Sequence, residues 1–322
     1  MKMLFLNYTK AATGGLALLV ATSALATPED IAVKTVSVPA WNIITDTLVN
    51  MTPLVNGQRN DFVMAQICGL ARGDKSQQEV NALLLKNNVD PAKLPKQGNT
   101  LSLLVNGDRG QQQTACVAYL ASSLFMPVNN AVYLQDAKAP ADESTKGKDK
   151  EKPSAASDKK VDADTKNATA KAAAPAKIFN QAQFAQDARV RIAMSQATAQ
   201  LYAVLASNLS AEKGKSWGEY QVQAQQIIAN YAPEYLRTVT IFSNATANQP
   251  IVIRSVTGNT FSVADAHNHE LVQDSSNVLF RSRGVNWLGN GQIFGKEYFV
   301  DVKIIDSQPL PKKTDKKLRR KI

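Results

Sequence analysis

Apolar positions along the chain change their period, and the changes divide it into parts. Trp41, Ile44, Leu48 and Met51 follow Pro39 at steps of three and four, which predicts a helix over Trp41–Met51. Asp61–Ala71 repeats the pattern with Phe62, Ala65, Ile67, Cys68 and Leu70, and Gly73 supplies a stop. Ser76-Gln77-Gln78-Glu79 has the form of a capping box, opening a helix through Lys86 that Asn87-Asn88 and Asp90-Pro91 close. Val105-Asn106-Gly107-Asp108 reads as a turn. Gln112–Phe125 is then helical, with Ala115, Cys116, Tyr119, Leu120 and Ser123 on one side and Pro127 beyond its end.

A second helical stretch covers 178–232. Val190, Met194, Ala197, Leu201, Val204 and Leu205 form its stripe, surrounded by small and amide side chains such as Ala193, Ser195, Gln196 and Ala199. Asn208–Lys215, with Gly214, reads as a break, and Ser216-Trp217-Gly218-Glu219 as a second capping box. Trp217, Tyr220, Ala224, Ile227, Ile228 and Tyr231 then face one way, and Pro233 is expected to stop the helix, giving an αα-hairpin. From 236 to 306 the period falls to two. RTVTIF, PIVIRSV, NTFSVA, NVLFRSR, VNWL and EYFVDVKII are candidate strands, and Gly289-Asn290-Gly291 is a hairpin turn. Nothing here alternates strand with long helix, so a doubly wound parallel sheet is not expected. The predicted class is α+β: a helical hairpin packed on a small antiparallel sheet, preceded by a helical domain.

Two segments carry no such pattern. Residues 136–177 hold ten lysines, eight acids and a single valine as their one large apolar side chain. Burial cannot offset the ordering entropy of such a run, so it reads as a disordered tether. Its contour would reach about 140 Å and its random-coil span roughly 35 Å. Residues 1–26 have the grammar of a cleaved signal peptide: Lys2 and Lys10, the apolar stretch Ala11–Val20, then Ala24-Leu25-Ala26 with Thr27 to follow. The expected organisation is therefore a signal peptide (1–26), a helical domain (27–135), the tether (136–177), a helical and β-rich domain (178–310) and a basic tail (311–322). The address implied is the bacterial periplasm.

Composition changes this picture in two places. The apolar share of 44% is enough for real cores. The net charge is +10, but it is concentrated in the signal segment, the tether and the tail, which leaves the folded body near neutral. That removes most of the support for direct nucleic-acid binding. The tail carries Lys312, Lys313, Lys316, Lys317, Arg319, Arg320 and Lys321 without interleaved aromatics, so base stacking is unsupported. Its expected partners are anionic lipid headgroups, cell-wall polymers or an acidic protein surface.

Two cysteines exclude a disulfide-dense scaffold, a four-cysteine zinc site and an iron–sulfur cluster. In an exported chain Cys68 and Cys116 form an even pair, each on an apolar helical stripe, and a bridge would staple the two helices. Closing that loop is worth roughly 4 kcal/mol on a chain-entropy basis. The competing reading, a nucleophilic cysteine, would need a histidine from the far end of the chain. The only histidines lie in Asp265-Ala266-His267-Asn268-His269-Glu270. On a strand, Asp265, His267 and His269 would share a face and could hold zinc or another transition metal; in a hairpin loop they would be ordinary turn residues. No G-x-S-x-G supports a serine triad, and Gly289, Gly291 and Gly295 lack the strand–loop–helix frame of a phosphate loop. No cofactor is expected.

Arg189–Asn208 (RVRIAMSQATAQLYAVLASN) and Tyr220–Thr238 (YQVQAQQIIANYAPEYLRT) resemble periplasmic components of type IVB secretion and I-type plasmid conjugation systems. The resemblance rests on Gln/Ala-rich helix character and transfers no functional residue. It implies a non-enzymatic accessory or scaffold role, with other envelope proteins or a transfer-channel complex as partners. The alternatives are a periplasmic binding or inhibitor protein, with a pocket lined by Trp287, Phe294 and Tyr298, and a cell-wall hydrolase.

Overall fold

The structure is a computed structural model, and it describes residues 33–136, 177–274 and 277–305. The signal-peptide segment, the body of the tether and the basic tail lie outside the described residues. A compact unit spans Thr35–Lys303. The second unit, Met1–Lys34 with Ile304–Ile322, contributes Val33, Lys34, Ile304 and Ile305 to the described residues.

Strand β1 (Val33–Pro39) leads into α1 (Ala40–Met51), α2 (Asp61–Arg72), α3 (Gln77–Lys86) and α4 (Arg109–Ser123), with short 3₁₀ turns between the last two. Local sequence explains the helix ends. The Asn60 side chain accepts from the Val63 N–H at 3.0 Å, and the capping box of Ser76 with Glu79 forms as expected. Gly73 takes the left-handed conformation (φ 82°) that ends α2. Short strands β2 (Leu134–Asp136) and β3 (Lys177–Phe179) follow, then α5 (Gln181–Ala211), β4 (Lys215–Ser216) and α6 (Trp217–Thr246). The second capping box, Ser216 with Glu219, also forms.

Two helix expectations are corrected. The break drawn at Asn208 comes later, because Leu209 is buried and holds α5 together through Ala211. Pro233 does not end α6, which runs on through the stretch RTVTIF expected as a strand. Ala232, Tyr235, Leu236 and Val239 are buried at helical spacing, whereas Ile241, which a strand would have placed with Val239, is 48% exposed. A mid-helix proline costs about 3 kcal/mol. The contacts of Tyr235, Leu236 and Val239 outweigh it, and the carbonyl of Ala229, the residue four before Pro233, lies on an exposed part of the helix.

Beyond α6 the chain forms β5 (Ile251–Thr257), β6 (Thr260–Asp265), β7 (His269–Gln273), β8 (Val278–Ser282), β9 (Val285–Gly289), β10 (Gln292–Ile293) and β11 (Phe299–Ile305). Strands β5 to β10 make one antiparallel meander in sequence order. Asn290 and Gly291, with φ of 47° and 81°, form the two-residue turn between β9 and β10, as the Gly-Asn-Gly sequence predicts. Strand β11 leaves the meander: it lies between β1 and β4 in a separate three-stranded sheet and pairs in parallel with β4.

The α+β class holds, with α5 of the α5–α6 hairpin lying against the antiparallel sheet. The division into two separately packed modules does not hold. Helices α1 and α4 pack on α5 and α6, and one continuous hydrophobic core contains residues from both sides of the 136–177 segment. Trp41, Phe125 and Tyr202 form an aromatic cluster with centroids 4.8–5.7 Å apart. Asn130 donates to the carbonyls of Gly258 and Thr260, and Gln273 donates to the Leu124 carbonyl at 2.6 Å. The reason is α5. From Ile192 through Tyr202 every residue but Gln200 is buried, so the helix is covered on all sides. Its small side chains, Ala193, Ser195, Ala197, Thr198 and Ala199, let neighbours approach from each direction. A helix of that kind needs the N-terminal helices on one flank and the sheet on another.

Candidate functional site

The inward face of the sheet is apolar along most of its length. Phe261 and Val263 on β6, Leu271 on β7, and Val278 and Phe280 on β8 are buried. At one end the same face turns polar: Asp265, His269 and Ser282 continue the three strands, and His269 stands directly opposite Ser282 in the ladder. This polar end borders a cleft of about 580 Å³. Helix α5 supplies Gln196, helix α6 supplies Phe242, Ala245 and Thr246, and β9 and the segment after it supply Trp287 and Phe294.

The sequence motif Asp265-x-His267-x-His269 forms the turn between β6 and β7, not a continuous strand with one shared face. Asp265 is 5% exposed and accepts three hydrogen bonds. One oxygen takes the backbone N–H groups of His267 and His269 at 2.8 and 2.9 Å; the other meets His269 Nδ1 at 2.7 Å. Burial alone would raise this carboxyl. The hydrogen bonds from the His269 ring and from both backbones outweigh burial and hold it below the ordinary aspartate range. Both carboxylate oxygens are thus committed within the turn, and the His267 and His269 rings sit 6.2 Å apart, centroid to centroid. Among the described residues, no group of three or more His, Cys, Asp or Glu side chains is placed to hold a metal ion.

What the arrangement does is fix one imidazole. The contact between Nδ1 and the Asp265 carboxylate fixes the orientation of the ring. The ring is stacked on Phe280 at 5.9 Å, and Phe242 lies edge-on at 6.2 Å. Among the described residues no hydrogen bond joins Ser282 to His269, so the three side chains do not form a charge-relay triad.

Of the aromatic residues considered for a pocket, Trp287 and Phe294 line the cleft with their rings 4.9 Å apart, and Tyr298 does not. Three contributors escaped sequence reasoning. Phe242 lay in a stretch read as a strand, and Arg283 and Ser282 belong to a hairpin whose register is visible only in three dimensions. Gln196 left one trace, an amide inside a helix of small apolar residues. Its Oε1 is buried without a hydrogen-bond partner.

Cys68 and Cys116 form the expected disulfide, which joins α2 to α4 with the two Cα atoms 5.1 Å apart. Both residues are buried in the core, so the bridge is structural. The basic cluster from Lys312 to Lys321 lies outside the described residues. Among the described residues, no helix is long and apolar enough to cross a membrane. No family model, curated protein or solved structure matches this chain.

Proposed function

We propose that the protein is exported to the periplasm and serves as a non-enzymatic accessory or scaffold subunit of a cell-envelope apparatus, of the type IV secretion or conjugative-transfer kind. The observation that carries the reading is the buried Cys68–Cys116 disulfide, since such bridges form and persist in oxidising compartments. The signal-like pattern ending at Ala24-Leu25-Ala26 supports the same address. The charged 136–177 run supports an assembly role. Its ends are pinned side by side, Asp136 opposite Lys177 in an antiparallel pair, so it departs from and returns to one folded body. A lysine- and acid-rich excursion of that kind suits contact with other envelope components, as does the basic tail with anionic lipid or cell-wall polymer.

The test is chemical cross-linking in intact cells followed by fractionation and mass analysis. The expected result is a mature chain beginning at Thr27 in the periplasmic fraction, with the bridge oxidised and cross-links to envelope proteins. Recovery of a cytoplasmic chain with an intact Met1 and two free thiols would overturn the proposal.

A further inference from the structure

The cleft beside His269 has an apolar part and a polar part. The apolar part comes from Phe242 on α6 and from Trp287 and Phe294, whose rings lie 4.9 Å apart. The polar part is built where two turns meet. The β6–β7 turn carries His267, and His269 follows it; β8 ends at Ser282, and Arg283 stands in the turn beyond. The Arg283 backbone N–H donates to the Asn268 carbonyl at 3.4 Å and ties the two turns together. Two polar groups of the wall are buried without a hydrogen-bond partner, and they differ in access. Gln196 Oε1 is sealed from solvent, so no guest can reach it. Ser282 is 8% exposed, its hydroxyl has no partner among the described residues, and its Oγ is not sealed. Such a hydroxyl finds its partner in what enters the cleft. Next to it, Arg283 is exposed, and its guanidinium makes no hydrogen bond or ion pair among the described residues. No aspartate or glutamate lines the cleft. The carboxylate behind its wall, Asp265, is taken up by the His269 ring and by two backbone N–H groups. The polar part therefore offers a hydroxyl donor and a positive charge with no competing carboxylate.

We propose that this cleft binds an apolar organic acid, whose carboxylate accepts from the Ser282 hydroxyl and the Arg283 guanidinium while its apolar body packs against Phe242, Trp287 and Phe294. The cleft volume of about 580 Å³ suits a small molecule of this kind. Hydrogen bonds to an ionised group are the stronger sort, and the buried serine contributes more than the exposed arginine because water competes less for it. A neutral guest of the same shape keeps the packing and loses the charge-assisted bonds, so the acid group is what the site selects. Two sources share this chemistry, a free aromatic acid and the carboxylate of an acyl chain. The inference stands apart from the assembly role, since neither requires the other.

Calorimetric titration of the full chain tests it with three probes: 2-naphthylacetate, its neutral amide 2-naphthylacetamide, and octanoate. The naphthyl acid should bind roughly tenfold more tightly than the amide, the effect of losing the charged acceptor. Ser282→Ala should weaken the acid about fivefold and the amide much less, without lowering the unfolding midpoint, because the hydroxyl it removes has no partner in the folded chain. Arg283→Asn, an exposed change at a turn position that asparagine tolerates, should weaken the acid about two- to threefold and leave the amide unchanged. Tighter binding of 2-naphthylacetate than of octanoate assigns the aromatic source, and equal or weaker binding the acyl chain. The proposal is overturned if neither acid binds, if the unaltered chain binds acid and amide equally, or if the preference for the acid survives with both substitutions in place. Equal loss of acid and amide in Ser282→Ala would also overturn it, since the serine would then support the wall and not the guest.

Discussion

The stretches before and after the 136–177 segment reach stability by different means. Before it, α2 and α4 are helices of 12 and 15 residues, tied by a disulfide between Cys68 and Cys116. After it, α5 and α6 run for 31 and 30 residues with no covalent link, and the middle of α5, from Ile192 to Tyr202, is enclosed on every side. The disulfide staples two short helices that are themselves well covered, with Gln66–Gly69 of α2 and Ala115–Tyr119 of α4 buried without interruption. A long helix covered all round at its middle is held there by packing alone. Yet the two stretches share one core, so the short helices are also a cover for the long one.

The largest test of that comparison is Tyr202→Ala. Tyr202 is fully buried on α5, packs on Trp41 and Phe125, and shares a hydrogen bond with Thr45. Truncating a buried aromatic costs about 3–5 kcal/mol, here approaching the upper end because both stretches lose contacts. Denaturant unfolding should show α1 and the sheet melting together at a lower midpoint. Two separate transitions, with only the sheet affected, would restore the picture of independent modules. Next comes the pair Cys68→Ser with Cys116→Ser, expected to lower stability by about 4 kcal/mol through the freed loop. Reducing the unaltered protein should reproduce that loss in the same unfolding experiment, and an unchanged midpoint would mean that packing already holds α2 to α4.

A smaller effect is expected at the polar end of the sheet. Asp265 is held below the ordinary aspartate value of 3.8 because its folded-state hydrogen bonds favour the charged form. A depressed carboxylate contributes stability that is complete above the unfolded value and is lost as pH falls through the folded one. Asp265→Asn should therefore cost about 2 kcal/mol near neutral pH and progressively less as the medium becomes more acidic than the ordinary aspartate range. Midpoints measured across that acid range would check it; two parallel curves would show that the charge on Asp265 is not what the turn relies on.

Much of this architecture was written in local patterns. The capping boxes Ser76–Glu79 and Ser216–Glu219, the Asn-Gly turn at 290–291 and the cysteine pair each need only a few neighbouring residues to be read. The failures have a common physical origin. Pro233 and the β-branched run Thr238–Ile241 argue locally against a helix, and burial of Tyr235, Leu236 and Val239 by distant partners overrides them. The His-containing motif was legible as a cluster, but its partners Gln196, Phe242 and Ser282 come from three other elements. The least legible stretch was 136–177, whose interior lies outside the described residues. A polar segment between two apolar regions looks the same in sequence whether it separates two bodies or loops out of one.

That ambiguity gives the last prediction. Strands β2 and β3 pair Leu134 with Phe179, Gln135 with Ile178 and Asp136 with Lys177, so the two residues that flank 137–176 lie a hairpin's width apart. If residues 137–176 only connect the two strands of one body, replacing them with five glycine- and serine-rich residues leaves every core contact in place. Loop-closure entropy then falls by about 0.6 kcal/mol per halving, or roughly 2 kcal/mol for three halvings. The shortened chain should thus be more stable by about that amount, with the same spectroscopic signature. A spacer between independent modules would behave differently, because so short a link would strain or misplace them, and the shortened chain would lose stability or associate into swapped dimers. A companion measurement keeps the two effects apart. With a specific protease site placed inside 137–176 and then cut, the two halves should elute together in native chromatography and separate only in denaturant, because Trp41, Phe125 and Tyr202 and the bond from Gln273 to Leu124 join them without the covalent chain.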